Sequence, residues 1–420
     1  MPIASPTERI EAIVEQGLCI GCGLCEAVAG PERIRVRKVT TGFETPVVVG
    51  ALTDAMADTI TDVCPGLRVD GLPPQLVDRG TTIDPVWGPW RRIVRAWASD
   101  PEVRHQGSTG GALTALAQFL LTSGRVAAIL HVRASATEPT FGEPTLSTTP
   151  EAVLAGAGSR YGPTAPLRHV TDVLDRGEPI AFVGKPCDIA ALRSWGRHDP
   201  RVDDLVRYWL TPVCGGFGPP DFTRGFLAQI GIEERDLTAF RYRGFGCPGP
   251  TRAETADRVE ERHYLDYWGD DESQWSLPWR CKVCPDGIGE AADLAASDTW
   301  PGGSPDRVES ETDLGTNAIV ARTAAGVELL EAAEAAGALT VERDIEPADM
   351  TEYQPHQMRK KYAAGPRLDA LREAGRLSIA TNGLRLDALT SELSATERDR
   401  QREGVFVRIA DGKASQPRPT

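Results

Sequence analysis

The sequence contains no apolar run long enough to cross a membrane and no recognisable export signal. Its longest candidate, residues 112–121, is interrupted by Thr114 and Gln118 and falls short of the roughly 20 apolar residues that a membrane helix requires. Residues 1–16 carry three glutamates and lack the basic-then-apolar order of a secretion signal. These absences predict a cytoplasmic protein that has no contact with a membrane.

Dense clusters of basic residues are also missing. The 46 Lys and Arg residues are outnumbered by 60 Asp and Glu residues, which gives a formal net charge of −14 at pH 7. Because binding to a phosphate backbone depends on clustered Lys and Arg, the sequence argues against a nucleic-acid partner. The same acidity repels an acidic redox carrier unless a local basic patch offsets it.

Histidine is scarce, whereas cysteine is not. The six histidines show no paired spacing of the kind that binds a metal, so most of them are expected to be structural. The nine cysteines are an odd number in a chain that lacks an export signal. In a reducing compartment metal ligation is a more common use of such thiols than disulfide formation.

Three cysteines, Cys19, Cys22 and Cys25, lie within seven residues. This spacing lets one loop cover three corners of a [4Fe–4S] cluster. Ala29 occupies the position at which bacterial ferredoxins carry a cysteine for a second cluster. We therefore expect Cys64, which stands in a Cys-Pro pair, to supply the fourth ligand. The alternatives are a zinc site or a loop of free thiols.

The remaining five cysteines suggest a second cluster. Cys281 and Cys284 form a Cys-x-x-Cys pair, which also suits zinc or a redox-active dithiol. Cys187 and Cys214 each follow a predicted strand, at the edge where an open α/β sheet binds its ligands. We predict that these four thiolates hold a second [4Fe–4S] cluster, with inert thiols and a local zinc as the alternative. Cys247 is left as a substitute ligand or a reactive thiol.

The length of 420 residues suggests two or three domains. Residues 1–80 are expected to form a small ferredoxin-like iron–sulfur module. In residues 88–345 β-rich runs alternate with helical patterns, which predicts an α/β core. Residues 346–420 are expected to form a helical appendage with a disordered tail. The predicted strands are residues 125–132, 179–183, 205–213 and 318–322, and residues 113–121 are a predicted helix that is capped by Ser108 or Thr109 and ends at Gly124.

These motifs together resemble the coenzyme F420 hydrogenase/dehydrogenase beta-subunit family, which includes the ferredoxin-dependent divinyl-chlorophyllide and 7-hydroxymethyl chlorophyll a reductases. The resemblance spans residues 17–365. The motifs that carry it are residues 19–25 (CIGCGLC), 105–111 (HQGSTGG), 158–161 (GSRY), 184–193 (GKPCDIAALR), 212–216 (PVCGG) and 281–284 (CKVC), followed by residues 290–293 (EAAD) and 297–298 (SD).

The resemblance implies an oxidoreductase with FAD and one or two [4Fe–4S] clusters. It places Ser108, Thr109, Gly110 and Gly111 in the flavin-binding loop. A Gly-Gly pair at a helix start leaves N–H groups free to face a phosphate or the flavin ring. A helix cap with close packing is the alternative for this loop.

Three further residues, Arg160, Tyr161 and Lys185, match positions that would line the flavin pocket. A cation there would stabilise reduced flavin, whereas surface ion pairs are the alternative for Arg160 and Lys185. His105, beside the flavin loop, is expected to relay a proton. With Lys185 it makes up the expected catalytic pair.

We therefore predict an iron–sulfur flavoprotein oxidoreductase. A ferredoxin-like or deazaflavin donor would pass electrons through the clusters to FAD, which would reduce a small organic substrate; the reverse direction is equally open. The preferred assembly is a self-contained homo-oligomer. The alternative is an electron-transfer subunit of a larger hydrogenase or dehydrogenase complex. A third hypothesis, a zinc-bound regulatory protein, predicts a colourless preparation.

Overall fold

The structure is a computed structural model that describes residues 4–271 and 275–417. Its strands, in chain order, are β1 (Ile34–Lys38), β2 (Glu44–Val48), β3 (Arg68–Asp70), β4 (Thr82–Asp84), β5 (Gly88–Trp90), β6 (Arg92–Ala98), β7 (Ala128–Ala134), β8 (Gly142–Ser147), β9 (Ile180–Val183), β10 (Val206–Pro212), β11 (Ala239–Arg241), β12 (Thr251–Glu254), β13 (Val259–Arg262), β14 (Leu294–Asp298), β15 (Asn317–Ala321), β16 (Leu339–Asp344) and β17 (Ala380–Asn382).

The α-helices, again in chain order, are α1 (Pro6–Glu15), α2 (Leu24–Ala29), α3 (Asp54–Val63), α4 (Pro101–Gln106), α5 (Ala112–Thr122), α6 (Pro150–Ala155), α7 (Val170–Leu174), α8 (Pro186–Trp195), α9 (Arg201–Leu205), α10 (Pro220–Gln229), α11 (Tyr264–Trp268), α12 (Trp279–Lys282), α13 (Ala324–Ala335), α14 (Pro347–Tyr353), α15 (Pro355–Glu373), α16 (Leu386–Glu392) and α17 (Ala395–Ala410). Short 3₁₀ helices lie at Pro74–Leu76, Glu234–Asp236, Pro301–Gly303 and Glu309–Glu311. Within the described ranges no helix combines the length and the apolar character that a membrane span requires.

A mixed sheet forms the centre of the fold. The order of its strands is β16-β6-β15-β14-β10-β9-β7-β8. Strands β14, β10, β9 and β7 run parallel to one another, while the strands outside them pair antiparallel. The predicted mixed α/β architecture is therefore confirmed.

Apolar side chains cover both faces of this sheet. On one face α5 and α13 contribute Leu116 and Leu329, which belong to the same buried cluster as Ala181 of β9. On the other face Ile189 of α8 belongs to a second cluster with Phe182, the next residue of β9. Successive strand residues point to opposite faces, so helices cover both sides of the sheet.

The connection from β9 through α8 to β10 positions the site. The two strands are adjacent and parallel, so their carboxyl ends meet at one edge of the sheet. Cys187 lies in the first turn of α8, and Cys214 follows the end of β10. This topology brings together two cysteines that are distant in the sequence.

The start of α5 differs from its prediction. Its cap is Gly111, in a left-handed conformation with φ of 70° and without a side-chain cap. The proposed caps are wrong, because their hydroxyl groups make other contacts. Ser108 Oγ accepts a hydrogen bond from the N–H of Ser159 at 2.6 Å, and Thr109 Oγ1 accepts one from Arg243 at 2.9 Å.

The helical C-terminal region packs onto the rest of the chain. Strand β17 pairs in parallel with β3, and Gln416 donates its N–H to the carbonyl of Glu15. Lys361 and Arg385 both bind the fully buried carboxylate of Glu290, Arg385 at 2.5 Å. The proposed boundaries at residues 80 and 345 stay predictions, and the end of the predicted disordered tail, residues 418–420, lies outside the described residues.

Candidate functional site

The first four predicted cluster ligands surround one small cavity. Cys19, Cys22, Cys25 and Cys64 all line it. Its remaining wall comes largely from apolar residues: Ile10, Ile13, Ile20, Leu24, Pro46, Ile60, Val63 and Pro65. The three clustered cysteines and the distant Cys64 therefore meet in space, as the sequence predicts.

Glycine shapes the loop that carries the first three cysteines. Gly21 has φ of 67°, and a Cβ at this position would lie 2.4 Å from the carbonyl oxygen of Glu44. Gly23 has φ of 87°, and its Cβ would lie 2.8 Å from the backbone nitrogen of Arg168. Only glycine fits a positive φ and such a close approach without strain. The loop can therefore wrap tightly around the cavity.

The thiols in this cavity are costly to ionise without a positively charged partner. Burial, followed by the neighbouring Cys64, raises the pKa of Cys19 to about 12. Burial and the adjacent thiols also hold the pKa of Cys22 and that of Cys25 well above the ordinary value. Thiolates buried this close together need a compensating charge, which bound iron would supply.

The second set of predicted ligands also comes together, at the edge of the central sheet. The charges of Cys214 and Cys284 raise the pKa of Cys281, and the charge of Cys214 also raises the pKa of Cys187. The Sγ of Cys284 donates to the carbonyl of Asp286 at 3.3 Å. Cys187 in α8, Cys214 after β10, and Cys281 and Cys284 at the end of α12 thus lie near one another.

Three cations border this second group. Arg280 is 1% exposed, and its charge acts on Cys284, Cys187 and Cys281. Burial raises the pKa of Cys214, and the charges of Lys360 and Lys185 oppose this shift. A set of cations around thiolates stabilises their ionised form. Sequence reasoning missed Arg280 and Lys360, because arginine and lysine are not residue types that indicate a metal ligand.

In the part of the chain that the structure describes, no three His, Cys, Asp or Glu side chains are arranged to hold one metal ion. Zinc and a [4Fe–4S] cluster both stay hypotheses for the two cysteine groups.

Cys247 lies apart from both groups. It is buried, and the charges that act on its thiol are those of Arg243, Asp298 and Asp313. Burial, ahead of these charges, raises the pKa of its thiol above the ordinary value. The charged groups around Cys247 thus differ from those around the two cysteine groups.

A cleft of about 310 Å³ opens at the same edge of the sheet. Of the predicted cofactor-binding residues, Ser108, Thr109, Gly111, Arg160, Tyr161 and Lys185 line it. Cys214 of the second cysteine group lines it as well. Gly110 is not part of the lining. Its α-carbon instead packs against Asn317, since a Cβ there would lie 2.8 Å from the Asn317 Oδ1 atom.

His105 also lies outside the lining of the cleft. It is in the last turn of α4, and its ring packs against Phe245 with 5.9 Å between centroids. Its backbone carbonyl accepts the N–H of Gly246. The role of His105 in proton transfer stays a prediction.

The N-terminus of α5 faces the cleft. Gly111, Ala112, Leu113 and Thr114, at the start of the helix, all line it. Asn317 Oδ1 accepts the N–H of Ala112 at 3.2 Å, and the N–H of Ala115 donates to the carbonyl of Gly111. A helix N-terminus of this kind favours an anionic group.

A buried ionic network at the cleft was missed by sequence reasoning. Arg243 is 4% exposed, and its guanidinium binds both carboxylate oxygens of Asp298, at 2.8 and 3.0 Å. Thr109 bonds to both residues. The Arg243 guanidinium also lies 4.5 Å from the ring centroid of Trp300. The network fixes a planar cation among aromatic rings in the wall of the cleft.

Lys185 and Arg160 have different surroundings. Lys185 Nζ lies 2.7 Å from the buried carboxylate of Asp188 and donates to Thr164 Oγ1 at 3.1 Å. Burial opposes the charge on Lys185, but Asp188 outweighs it, so the pKa is raised. Arg160 donates to the carbonyl of Phe240 at 2.8 Å. Lys185 therefore forms an internal ion pair, and not the surface pair that was the alternative for it.

The cleft offers polar atoms that a bound group can satisfy. Within the described residues, Ser297 Oγ, Arg160 Nε and Asp188 Oδ1 are buried and have no hydrogen-bond partner, and all three residues line the cleft. Buried polar groups are nearly always paired. Together with the helix N-terminus and the aromatic wall, these atoms fit a large, flat, phosphate-bearing cofactor.

Two models of one protein family match this chain. The family model "Coenzyme F420 hydrogenase/dehydrogenase, beta subunit N-term" matches residues 93–171, and the corresponding C-terminal model matches residues 177–346. The F420-dependent formate dehydrogenase 1 subunit beta of Methanococcus maripaludis is 34% identical over 124 residues, which are 29% of this chain and 31% of that protein. The chain thus matches about a third of the length of this curated relative.

A solved structure shares the fold. A chain of the F420-reducing [NiFe] hydrogenase complex from Methanosarcina barkeri, in a xenon-derivatised crystal, superposes with a TM-score of 0.52 at 18% identity. The match covers 68% of this chain and 95% of that chain. The two family models together cover more than half of the sequence. The chain belongs to the coenzyme F420 hydrogenase/dehydrogenase beta-subunit family.

Proposed function

We propose that this chain is an electron-transfer subunit of a larger hydrogenase-type or dehydrogenase-type complex, and that its cleft serves a deazaflavin such as F420. The observation that carries the proposal is the position of Cys214, which belongs to the second cysteine group and also lines the cleft. A redox centre there would be in contact with the cofactor pocket. Family membership makes an oxidoreductase role the expected one.

The residues present fit FAD and two [4Fe–4S] clusters. Cys19, Cys22, Cys25 and Cys64 would hold one cluster, and Cys187, Cys214, Cys281 and Cys284 the other. The start of α5 and the buried atoms of Ser297, Arg160 and Asp188 would hold FAD. When bound, a flavin exchanges single electrons with iron–sulfur centres and a hydride with an organic partner.

The chain's own side chains would prepare the pocket for this chemistry. Lys185, held by Asp188, would offer a fixed N–H donor to a bound ring. The Arg243–Asp298 pair and the rings of Tyr264 and Trp300 line one part of the cleft. His105 stays the predicted proton relay, although it lies outside the lining of the cleft.

The self-contained reductase and the subunit remain distinct hypotheses. The sequence alone favoured a stand-alone homo-oligomer that reduces an organic substrate. The family models and the formate dehydrogenase relative support the subunit instead, since both are named for a beta subunit. A ferredoxin-dependent reductase of a chlorophyll-type substrate has no support among these relatives.

Electron transfer by the isolated chain separates the two hypotheses. We expect the anaerobically purified holoprotein to pass electrons between a viologen dye and F420, because both centres lie in one chain. It should not oxidise formate or hydrogen until a partner protein is added. Size-exclusion chromatography with activity assays on the eluted fractions would measure this. Complete substrate turnover by a homo-oligomer alone would contradict the subunit proposal.

Ser297 provides a direct test of the flavin site. Its Oγ is buried without a partner among the described residues, so Ser297→Ala should leave the stability of the flavin-free protein unchanged. If the hydroxyl binds FAD, the substitution should weaken binding by about 0.5–1.5 kcal/mol, or roughly 2- to 13-fold in Kd. Titration of the deflavinated protein with FAD measures this. Ser147→Ala, which removes a hydroxyl that bonds to His131, is the control expected to lower stability.

A further inference from the structure

The chain carries a cluster of cations beside the second cysteine group, which we call the basic patch. It consists of Lys282 at the end of α12, Lys360 and Arg367 on α15, and Arg400 and Arg408 on α17. Helices α15 and α17 pack against each other, and Arg367 donates to the carbonyl of Lys282 at 2.6 Å. The five cations thus belong to one local surface.

The cations of the basic patch repel one another. Burial lowers the pKa of Lys282, and the charges of Arg408, Arg367 and Lys360 lower it further. Burial, followed by the charges of Arg408 and Arg400, lowers the pKa of Arg367 to about 10. Such an arrangement destabilises the folded chain unless something else compensates the charge.

Little within the chain compensates these charges. In the ranges that the structure describes, Lys282, Lys360, Arg367 and Arg408 form no ion pair; their side chains donate to uncharged oxygens, such as the carbonyl of Gly215 at 3.0 Å from Lys360 Nζ. Glu397 forms an ion pair with Arg400, and its charge also acts on Arg367. The chain as a whole has a net charge of −14. A local excess of positive charge on an acidic protein needs an explanation.

The patch lies next to the second cysteine group. Lys282 follows Cys281 directly in the sequence, and the charge of Lys360 acts on both Cys281 and Cys214. Arg408 and its neighbour Val407 are exposed on α17. The surface therefore offers exposed cations and an apolar side chain close to a predicted redox centre.

We propose that the basic patch is the docking surface for a small acidic iron–sulfur electron carrier. This inference rests on the proposed function, because it assumes a redox centre at the second cysteine group. In each encounter the carrier gives up one electron and the chain gains one, or the reverse, and two encounters supply the electron pair of one hydride. Electron-transfer encounters bury small interfaces, so a few cations suffice to guide them.

Charge complementarity identifies the class of partner. Electrostatic attraction between a positive patch and an acidic carrier accelerates association and falls steeply with ionic strength. Elsewhere the acidic surface of this chain would repel the same carrier. The patch thus directs an acidic carrier to the side of the chain on which the second cysteine group lies.

Charge reversal tests the proposal. The variant Arg400→Glu/Arg408→Glu is compared with the control Arg133→Glu/Arg235→Glu, which changes the net charge equally at exposed arginines elsewhere, with side chains 52% and 78% exposed. The donor is a reduced, acidic bacterial-type ferredoxin, and methyl viologen serves as a small cationic donor. Stopped-flow absorbance measures the second-order rate of reduction of each holoprotein as a function of salt.

We expect the patch variant to be reduced by ferredoxin at least about tenfold more slowly than the parent at low salt, with the difference shrinking as salt screens the charges. For the control variant, the decrease in the logarithm of the rate constant with ferredoxin should be less than half of that for the patch variant. Viologen should reduce the patch variant at least as fast as it reduces the parent protein. Equal rates for the two variants with ferredoxin would overturn the docking surface. Failure of both donors to reduce the parent protein would instead overturn the proposed function.

Discussion

Replacing Cys281 by alanine is expected to halve the iron and acid-labile sulfide of the anaerobically purified protein. Cys281 is one of four thiols that converge at the edge of the central sheet. A [4Fe–4S] cluster is held by four thiolates, and the other three of this group cannot easily recruit a substitute, because Cys247 is buried among Arg243, Asp298 and Asp313. The remaining iron should belong to the cluster at Cys19, Cys22, Cys25 and Cys64.

The control for this experiment is Cys247→Ala. It removes a buried thiol that belongs to neither group, so iron and sulfide should stay at the level of the parent protein. Iron, sulfide and zinc are quantified together, and electron paramagnetic resonance of the reduced protein reports how many clusters remain. Unchanged iron in Cys281→Ala would show that the second group holds no cluster. A colourless, zinc-containing parent protein would end both cluster assignments.

The cysteine groups could be predicted because their signals are local. Cys19, Cys22 and Cys25 share one loop, and the strand-like runs before Cys187 and Cys214 indicated that both cysteines lie at strand ends. The topological rule for parallel strands then placed them at one edge of a sheet. The four predicted strands lie within three residues of β7, β9, β10 and β15.

Other parts of the site depend on contacts that the sequence does not encode locally. Arg243 and Asp298 are 55 residues apart, and Arg280 is 215 residues from the carbonyl of Pro65 that it binds. No periodicity or spacing links such pairs, so a sequence pattern cannot identify them. Strand β14 was missed for a different reason, since its residues, LAASD, include no β-branched or aromatic side chain.

The cap of α5 shows how a motif can be recognised and still misread. Ser108 and Thr109 are good capping residues by type, and both precede an apolar helical pattern. The chain instead begins the helix after Gly111, whose positive φ suits glycine. This frees the two hydroxyl groups to bind Ser159 and Arg243 across the cleft. The loop is specialised for the site, and local capping preference does not decide its shape.

Arg280→Met is expected to disturb both cysteine groups at once. Its guanidinium donates to the carbonyl of Pro65 through Nε at 2.9 Å and Nη2 at 2.7 Å. Pro65 follows Cys64 of the first group, on which the charge of Arg280 acts. The same charge acts on Cys284, Cys187 and Cys281 of the second group. Arg280 therefore links the two predicted redox centres.

Loss of this buried charge should lower the reduction potential of both clusters, since a nearby cation stabilises the more negative, reduced form. We expect the equilibrium of each one-electron couple to change at least tenfold, or about 59 mV. Removing one partner from buried charges should also lower the free energy of unfolding of the holoprotein by about 3–5 kcal/mol. Potentiometric titration followed by electron paramagnetic resonance measures the first effect, and anaerobic denaturation the second.

Arg280→Lys separates the two contributions. Lysine keeps the positive charge but cannot offer two donors to one carbonyl in the same plane. The potentials should then stay close to those of the parent protein, while stability falls by a smaller amount than in Arg280→Met. If Arg280→Met shifts only the potential of the second cluster, the arginine serves that group alone and its bonds to Pro65 are purely structural. If neither potential moves, its charge has no part in setting the energies of the electron path.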